Sequence, residues 1–375
     1  MGSFGVTGFH DTARAQGPGV TVGRSGASIG VVSYVDQSYW PLNTCMYVTD
    51  FKGNDPRFVY HFLGTLNLSR FNSGSAQPSL NRNYIYPMEI LVPPVAEQLE
   101  IASILGALDD KIELNRRMSA TLEEMARSLY RSWFVDFDPV HAKMEGRQPA
   151  FMDEATAALF PDRFGEDGLP EEWEKQGFLH QSDWVNGAAY KNMHFSNDPD
   201  ALPVIKIAEL KAGVTKNTKF TATDLGQKYR IFRGELLFSW SGNPDTSIDA
   251  FVWPMDDAWL NQHIFAVRPN GRMSKAMLFS CLRHFKPDMA EIARNKQTTG
   301  LGHITRKDLE VFPVAVASPD IMHAFEAALE PVFDRYCECL YENQTLAALR
   351  DSLLPKLMSG QLRVGDARNQ IEEVA

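Results

Sequence analysis

Apolar residues recur at alternating steps of three and four along two long stretches of the chain, residues 97–134 and 320–358. Such spacing is typical of the buried seam between paired helices. Pro94 and Pro319 stand just before the two stretches, where proline is well tolerated at a helix start. We therefore predict long spacer helices over residues 94–136 and 319–361, each about 60 Å long at 1.5 Å per residue. The predicted seam residues are Ile101, Leu105, Leu108, Ile112, Leu122, Met125, Leu129 and Trp133 in the first helix, and Phe325, Leu329, Val332, Tyr336, Leu346, Leu349, Leu353 and Leu357 in the second.

The two helices belong to an internal repeat. Residues 82–133 align without a gap on residues 306–357, at a constant offset of 224, so that Arg82 falls on Arg306 and Leu129 on Leu353. Upstream, Arg24-Ser25-Gly26 resembles Trp240-Ser241-Gly242 at a slightly different offset. Self-similarity of this kind predicts two similar domains, each followed by one long helix. The equal placement favours an antiparallel coiled coil over two unrelated amphipathic core helices.

Short β-rich runs bounded by Gly, Pro and Asn precede each long helix, at residues 20–23, 30–34, 44–48 and 264–267. Shorter helices are predicted around residues 56–67 and 274–284. The expected fold class is α+β, with two β-rich domains at residues 1–93 and 176–318. A surface connector is expected over residues 137–175, because that segment is rich in Pro, Gly and acidic residues. A flexible tail is expected over residues 362–375.

The net charge of −10 is unevenly distributed along the chain. Residues 1–93 carry +1 and residues 176–313 carry +3, whereas residues 94–175 carry −9 and residues 314–375 carry −5. The β-rich parts are therefore mildly basic and the helical parts acidic. DNA readers usually carry a basic footprint, so this distribution permits nucleic-acid binding, although ordinary surface variation would explain it equally well.

The four cysteines, Cys45, Cys281, Cys337 and Cys339, are too few and scattered for a disulfide framework. Cys337 and Cys339 do not have a zinc spacing and are interpreted as helix-face residues. Neither a signal peptide nor an apolar run of 18 residues is evident. We expect a cytoplasmic protein without membrane contact.

The sequence contains no motif that would indicate an enzyme. It lacks a G-x-x-x-x-G-K-[ST] phosphate loop. It also lacks an Asn/Asp-Pro-Pro-aromatic methyltransferase motif, an Asp…Glu-x-Lys nuclease arrangement and a metal-ligand spacing among its nine histidines. We therefore expect no catalytic residue, no metal site and no cofactor on this chain.

Several segments resemble Type I restriction-modification DNA specificity subunits. They are Gly23-Arg24-Ser25-Gly26, the Pro93-Pro94…Glu97-Gln98 helix entry, Asp109-Asp110-Lys111-Ile112-Glu113-Leu114-Asn115-Arg116, Trp133-Phe134-Val135-Asp136-Phe137-Asp138-Pro139 and Leu354-Pro355-Lys356-Leu357-Met358-Ser359-Gly360. The resemblance covers essentially the whole chain and depends on the combination of segments.

The resemblance implies two target recognition domains that each read half of a bipartite site in double-stranded DNA. It also implies two methyltransferase subunits docked on the helices, and restriction motor-nuclease subunits in the full complex. S-adenosylmethionine, ATP and Mg²⁺ would then bind to those partners.

The chain departs from the family pattern in its first domain. Only 24 residues precede Ser25, whereas about 65 separate the Trp173 region from Ser241. We therefore expect a first recognition domain that is truncated at its N-terminus. An alternative is that the chain mainly assembles partners, or pairs with another copy, and reads only one half-site.

Loop-borne polar residues of the two β-rich domains are the candidates for DNA contacts, because their side chains suit base edges and phosphates. For each one, a solvated or structural polar role is the alternative. The candidates are Arg24, Ser25, Ser73, Gln77, Asn81 and Arg82 in the first domain, and Tyr190, Lys191, Lys216, Trp240, Ser241, Asn261, Gln262, His263, Lys296, Gln297, Thr298, Thr299, His303 and Arg306 in the second.

Overall fold

The computed structural model describes residues 1–74, 77–297 and 301–372. Its helices are α1 (Pro56–Thr65), α2 (Val95–Phe134), α3 (Asp138–Met144), α4 (Glu154–Leu159), α5 (Ile207–Ala212), α6 (Pro244–Ser247), α7 (Lys275–His284), α8 (Lys286–Asn295), α9 (Arg306–Val311), α10 (Pro319–Met358) and α11 (Val364–Glu372). Its strands are β1 (Gly19–Gly23), β2 (Val32–Val35), β3 (Cys45–Tyr47), β4 (Glu174–Gly177), β5 (Ser182–Asn186), β6 (Leu202–Ile205), β7 (Phe220–Thr221), β8 (Arg230–Ile231), β9 (Leu236–Ser239), β10 (Ser241–Gly242), β11 (Asp249–Val252), β12 (Ala258–Leu260), β13 (Ile264–Pro269), β14 (Gly302–His303) and β15 (Pro313–Val316).

The chain folds into two units. Unit 1 comprises residues 1–114 and 345–375, and unit 2 comprises residues 115–344. Each of the long helices α2 and α10 therefore contributes one part to each unit. The predicted fold class is confirmed: each unit combines an antiparallel sheet with a pair of helix segments.

In unit 1 a three-stranded antiparallel sheet of order β2-β1-β3 packs against α1. Helix α1 begins after Asp55, whose side chain accepts a hydrogen bond from the Phe58 amide at 2.8 Å. One face of α1 buries Phe58 and Phe62 against Leu105 of α2, in a cluster that includes residues of α10. The domain is thus anchored to its helix pair by apolar contacts.

Unit 2 has a larger fold built on the same plan. One four-stranded sheet has the order β11-β9-β13-β5, and a second has the order β7-β6-β12-β8. The strands β9, β11 and β13 pair as β1, β2 and β3 do in unit 1, and α7 occupies the place of α1. Ser274 caps α7 because its side-chain Oγ accepts a hydrogen bond from the Met277 amide, as the Asp55 side chain does for α1. The sequence repeat is therefore a repeat of structure.

Segments of α2 and α10 contact each other within each unit. In unit 1, Arg350 of α10 donates to Asp109 of α2 at 2.8 Å. In unit 2, the Met118 and Cys339 sulfurs lie 3.5 Å apart, and the Trp133 and Phe325 rings have centroids 5.3 Å apart. Within unit 2 the residue number of the α10 neighbour falls as that along α2 rises, so the two segments run antiparallel as predicted.

The predicted seam is buried or half-buried at every position except one. Met125 is 51% exposed, so its assignment to the seam was wrong. The buried positions of this stretch are instead Asn115, Ser119 and Ala126, followed by Tyr130. Asn115 and Ser119 follow Ile112 at steps of three and four, Ala126 lies seven residues after Ser119, and Tyr130 lies four residues after Ala126. Three of these side chains are polar or small and therefore interrupt the apolar pattern.

Two segments outside the seam are more ordered than the sequence predicts. The connector contains α3 and α4 and buries Phe160, Leu169 and Trp173 in the core of unit 2. The tail was predicted to be flexible from residue 362, and that prediction is wrong for α11. Ala367 of α11 is fully buried in the cluster that contains Leu353 and Leu357, because the tail folds back onto α10 and α2 within unit 1.

Candidate nucleic-acid interface

Several predicted DNA-contacting residues of unit 2 meet where strands of the large sheet end. We call Asn186, Trp240, Ser241, Gln262, His263 and His303 the strand-end cluster. Asn186 is the last residue of β5, Trp240 follows β9, and His263 directly precedes β13. The Trp240 Nε1 donates to Asn186 Oδ1 at 2.9 Å, and the Trp240 ring lies 5.5 Å from the His263 ring. These contacts hold the indole in one orientation.

Main-chain hydrogen bonds fix the backbone of this cluster. The Trp240 amide donates to the His263 carbonyl at 3.3 Å, and the Ile304 amide donates to the Trp240 carbonyl at 2.8 Å. Ser241 pairs with His303 across β10 and β14. Side chains that branch from a fixed backbone are pre-positioned for binding, because less conformational entropy is lost on contact.

Gln262 and His263 supply most of the hydrogen-bonding chemistry of the cluster. Their Nε2 atoms lie 3.3 Å apart, and Asn261 Nδ2 donates to Gln262 Oε1 at 3.4 Å. Asn261 itself is buried, and its backbone N–H donates a hydrogen bond to the Ile205 carbonyl. Asn261 therefore supports Gln262 and does not face solvent. An amide and an imidazole at a surface offer both donors and acceptors to base edges.

The same pattern of backbone hydrogen bonds, which we call the backbone frame, recurs in unit 1 with different side chains. The Arg24 amide donates to the Thr44 carbonyl at 3.0 Å, and the Leu80 amide donates to the Arg24 carbonyl at 2.8 Å. Ser25 pairs with Ser79 as Ser241 pairs with His303. Arg24 thus takes the place of Trp240, and its exposed guanidinium replaces an indole.

The remaining candidates of unit 1 lie on the segment that pairs with Ser25 or next to it. Ser73 Oγ donates to the Ser79 carbonyl at 3.1 Å, and Asn81 Oδ1 accepts from the Asn83 amide at 3.0 Å. Both side chains therefore shape the local turns. Gln77 and Arg82 are exposed on the same segment, where their side chains are available to a ligand.

The other candidates of unit 2 are more dispersed. Tyr190 is buried against Trp259, and burial raises the pKa of its hydroxyl to about 12. Lys296 forms an ion pair with Asp308, and Arg306 Nη1 donates to the Trp184 carbonyl at 2.8 Å. Exposed positions are occupied by Lys191, Lys216 and Gln297, while Thr298 and Thr299 lie outside the described residues.

Comparison with known proteins adds independent information. Residues 2–124 match the family model described as the Type I restriction modification DNA specificity domain. The chain is 24% identical over 317 residues to the Type I restriction enzyme MjaIX specificity subunit of Methanocaldococcus jannaschii, covering 82% of this chain and 69% of the relative. It is 23% identical over 331 residues to the HindI specificity subunit of Haemophilus influenzae, covering 76% and 71%. The crystal structure of a Type I S subunit from M. genitalium has a similar fold, with a TM-score of 0.50 at 16% identity, over 95% of this chain and 88% of that one.

Residues 2–124 thus match a Type I DNA specificity domain, and over most of its length the chain is similar to Type I restriction-modification specificity subunits. Within the residues that the structure describes, the chain has no group of three or more His, Cys, Asp or Glu side chains placed to hold a metal ion. Its cysteines are free and buried. None of its described helices combines the length and the apolar content needed to cross a bilayer.

One member of the strand-end cluster was missed in the sequence. Asn186 is followed by Gly187, and a Cβ at Gly187 would come within 2.2 Å of the Asn261 carbonyl oxygen. The glycine therefore lets this turn approach the loop that bears Gln262. An Asn-Gly pair is a turn signal. Interpreting this pair as the end of a strand would have predicted that Asn186 lies near the other candidate residues of unit 2.

Proposed function

We propose that this specificity subunit reads a bipartite site in double-stranded DNA, with one half-site for each unit. The observation that carries the proposal is the duplicated frame at the strand ends. The backbone hydrogen bonds of Trp240 and Ser241 recur at Arg24 and Ser25, while the side chains differ. One frame with two sets of side chains would give two half-sites of different sequence.

The chemistry of the two surfaces supports different base preferences. An exposed arginine such as Arg24 suits the O6 and N7 acceptors of guanine, and a glutamine such as Gln262 suits the N6 and N7 of adenine. Lys191, Lys216 and Arg82 are exposed and suit phosphates, which fix position without reading sequence. The larger positive charge of residues 176–313 favours a stronger phosphate contribution from unit 2.

We further propose that the chain is not catalytic and works by docking its partners. Two methyltransferase subunits and the restriction motor-nuclease subunits would bind it, and S-adenosylmethionine, ATP and Mg²⁺ would be bound by those partners. The acidic charge of residues 94–175 and 314–375 favours partner surfaces that are basic. A methyltransferase must flip its target base out of the duplex, and two readers on one chain would hold the DNA in register for that step.

The test uses the specificity subunit in complex with its methyltransferase. Methylome sequencing of a host that carries both genes gives the target site. Arg24→Ala and His263→Ala are then compared for methylation of single-base variants of that site. We expect the two substitutions to relax positions in different half-sites, whereas Lys216→Ala should weaken binding to all sequences alike.

Two outcomes would overturn the proposal. If Arg24→Ala and His263→Ala relax the same positions, the two frames do not read separate half-sites. If scrambling one half-site leaves methylation unchanged, the subunit reads only one half and otherwise assembles its partners.

A further inference from the structure

Strand β15 of unit 2 has a partner that its counterpart in unit 1 lacks. It pairs antiparallel with β4, with Pro313 opposite Gly177 and Val316 opposite Glu174, and it buries Val314. At the repeat offset of 224, its counterpart is residues 89–92. This segment forms no strand, and no backbone hydrogen bond joins it to any residue of the described ranges 1–74, 77–297 and 301–372.

The side chains around this segment form an exposed apolar strip. Leu91 is 94% exposed, Tyr86 is 72% exposed, and Ile90 and Val92 are each 47% exposed. In unit 2 the positions equivalent to Tyr86 and Leu99 carry Glu310 and His323, so the repeat itself does not require apolar side chains there. A contiguous exposed apolar surface usually marks a binding site. The apolar strip consists of Tyr84, Tyr86, Ile90, Leu91, Val92, Val95 and Leu99.

Unit 2 shows what kind of segment fits against this part of the fold. Strand β4 approaches α9 so closely that a Cβ at Gly177 would lie 2.1 Å from the Glu310 carbonyl oxygen. The next residue, Phe178, is fully buried, and its amide donates to the Phe312 carbonyl at 2.9 Å. The segment then continues into β5, which covers the edge of β13. In unit 1 the equivalent strand β3 is an edge of its sheet.

We propose that residues 89–92 and the free edge of β3 form a strand-addition site for an extended peptide segment of this kind. The segment would pair antiparallel with residues 89–92 and carry a glycine at the close approach, with an aromatic residue directly after it. Unpaired strand edges bind extended peptides through main-chain hydrogen bonds, and pockets for alternate side chains provide selectivity. The apolar strip would be covered as Val314 is covered in unit 2.

The probe is a fluorescein-labelled peptide with the sequence of residues 171–186, titrated into the full chain. We expect saturable binding, together with slowed amide hydrogen exchange at residues 89–92. Ile90→Asp should weaken binding by at least about tenfold, because it places a charge against the paired segment. Val311→Asp is the matched control, since Val311 is exposed and apolar but lies on α9. It should leave the affinity unchanged.

A second peptide and a tethered version make the test decisive. A peptide with Gly177→Val keeps the length and charge but blocks the close approach, and it should not bind. Joining residues 171–186 to Met1 through a flexible linker of about 20 residues raises the effective concentration, so that even weak pairing should protect residues 89–92 from exchange. Lack of protection in the tethered chain would overturn the proposal. The proposal would also be overturned if the untethered chain formed a dimer that Leu91→Asp abolishes and that the peptide does not disrupt. The occupant would then be a second copy of the chain.

Discussion

At the scale of single residues, neighbouring polar side chains in unit 2 have opposite environments. Asn261 is buried and supports the chain, whereas His263, two residues later, is exposed. The sequence identifies both as residue types suited to DNA. It does not show which one is buried, because β12 pairs in parallel with β6 and thereby places Asn261 against Ile205 and Ala188. Burial here is set by a strand about 55 residues upstream in the sequence.

The role of Gln262 can be tested separately from that of its support. Gln262→Ala removes a side chain that can bond to a base edge, and we expect a loss of about 1–3 kcal/mol on the cognate site with relaxed preference at one position. Binding titrations of the methyltransferase complex on single-base variants measure this effect. Lys191→Ala is the control and should weaken binding to all DNA sequences equally. Equal weakening by Gln262→Ala would mean that Gln262 contacts only phosphate.

His61 on α1 should make unit 1 sensitive to acid. Burial lowers the pKa of its imidazole from 6.5 to about 4, and Asp109 offsets this only in part. The 3.6 Å approach of His61 Nε2 to Asp109 is therefore not an ion pair near neutral pH. Below pH 6.5 the unfolded chain binds a proton that the folded chain excludes, so stability falls as the pH drops from 6.5 towards 4. The loss is on the order of 3 kcal/mol.

His61→Gln should remove this part of the pH dependence. Urea unfolding of the variant and the parent chain, measured at several pH values between 7 and 4, compares the two slopes. His10→Gln is the control, because His10 is exposed. Identical slopes for His61→Gln and the parent would show that His61 titrates normally in the folded state.

At the scale of elements, the long helices were the most predictable part of the fold. The residues of the seam between them were harder to predict, because they are not uniformly apolar. Large apolar residues at regular steps indicated α2 and α10. The middle of the α2 seam could be predicted only in part. Asn115 is recognisable in the sequence as a polar position within the seam, whereas the buried Ser119 and Ala126 have side chains too small or too polar to continue the apolar pattern. Asn115 is fully buried and donates to Glu342 at 2.8 Å, as expected of a polar residue that fixes helix register. Helix α11 was missed because its few apolar residues become buried only against α2 and α10.

Two substitutions on α2 distinguish the observed seam from the predicted one. Leu105→Ala removes a fully buried side chain, and we expect a loss of about 2–5 kcal/mol in the free energy of unfolding. Met125→Ala removes a side chain that is 51% exposed and should cost much less, within about 0.5 kcal/mol. Thermal and urea denaturation followed by circular dichroism measure both. A large loss for Met125→Ala would return Met125 to the seam.

At the scale of the whole molecule, charge and recognition are separated along the chain. The mildly basic segments carry the candidate DNA-contacting residues, while the segments that contain the long helices are acidic. The net charge of −10 opposes association with DNA as a whole. Recognition by the isolated chain therefore depends on a few local contacts, and partners that neutralise the acidic segments should strengthen it.

We expect the isolated chain to bind DNA weakly and with a shallow dependence on salt. The slope of log K against log salt counts the phosphates that are neutralised, and a partner would add to that number. A salt titration by fluorescence anisotropy, for the chain alone and for its complex with methyltransferase, measures both slopes. A chain that binds as tightly as the complex, with the same slope, would contradict this expectation.

The division into units also has a consequence for synthesis on the ribosome. Unit 2 is one continuous stretch, residues 115–344, whereas unit 1 joins residues 1–114 to residues 345–375. Domains tend to fold in the order in which they emerge. Here the half that is translated first must wait for Leu353, Leu357 and Ala367 to complete its core. A released fragment that ends at residue 344 would therefore contain the whole of unit 2 but an unfinished unit 1, and we expect chaperones to bind the apolar residues of unit 1 that lack their partners.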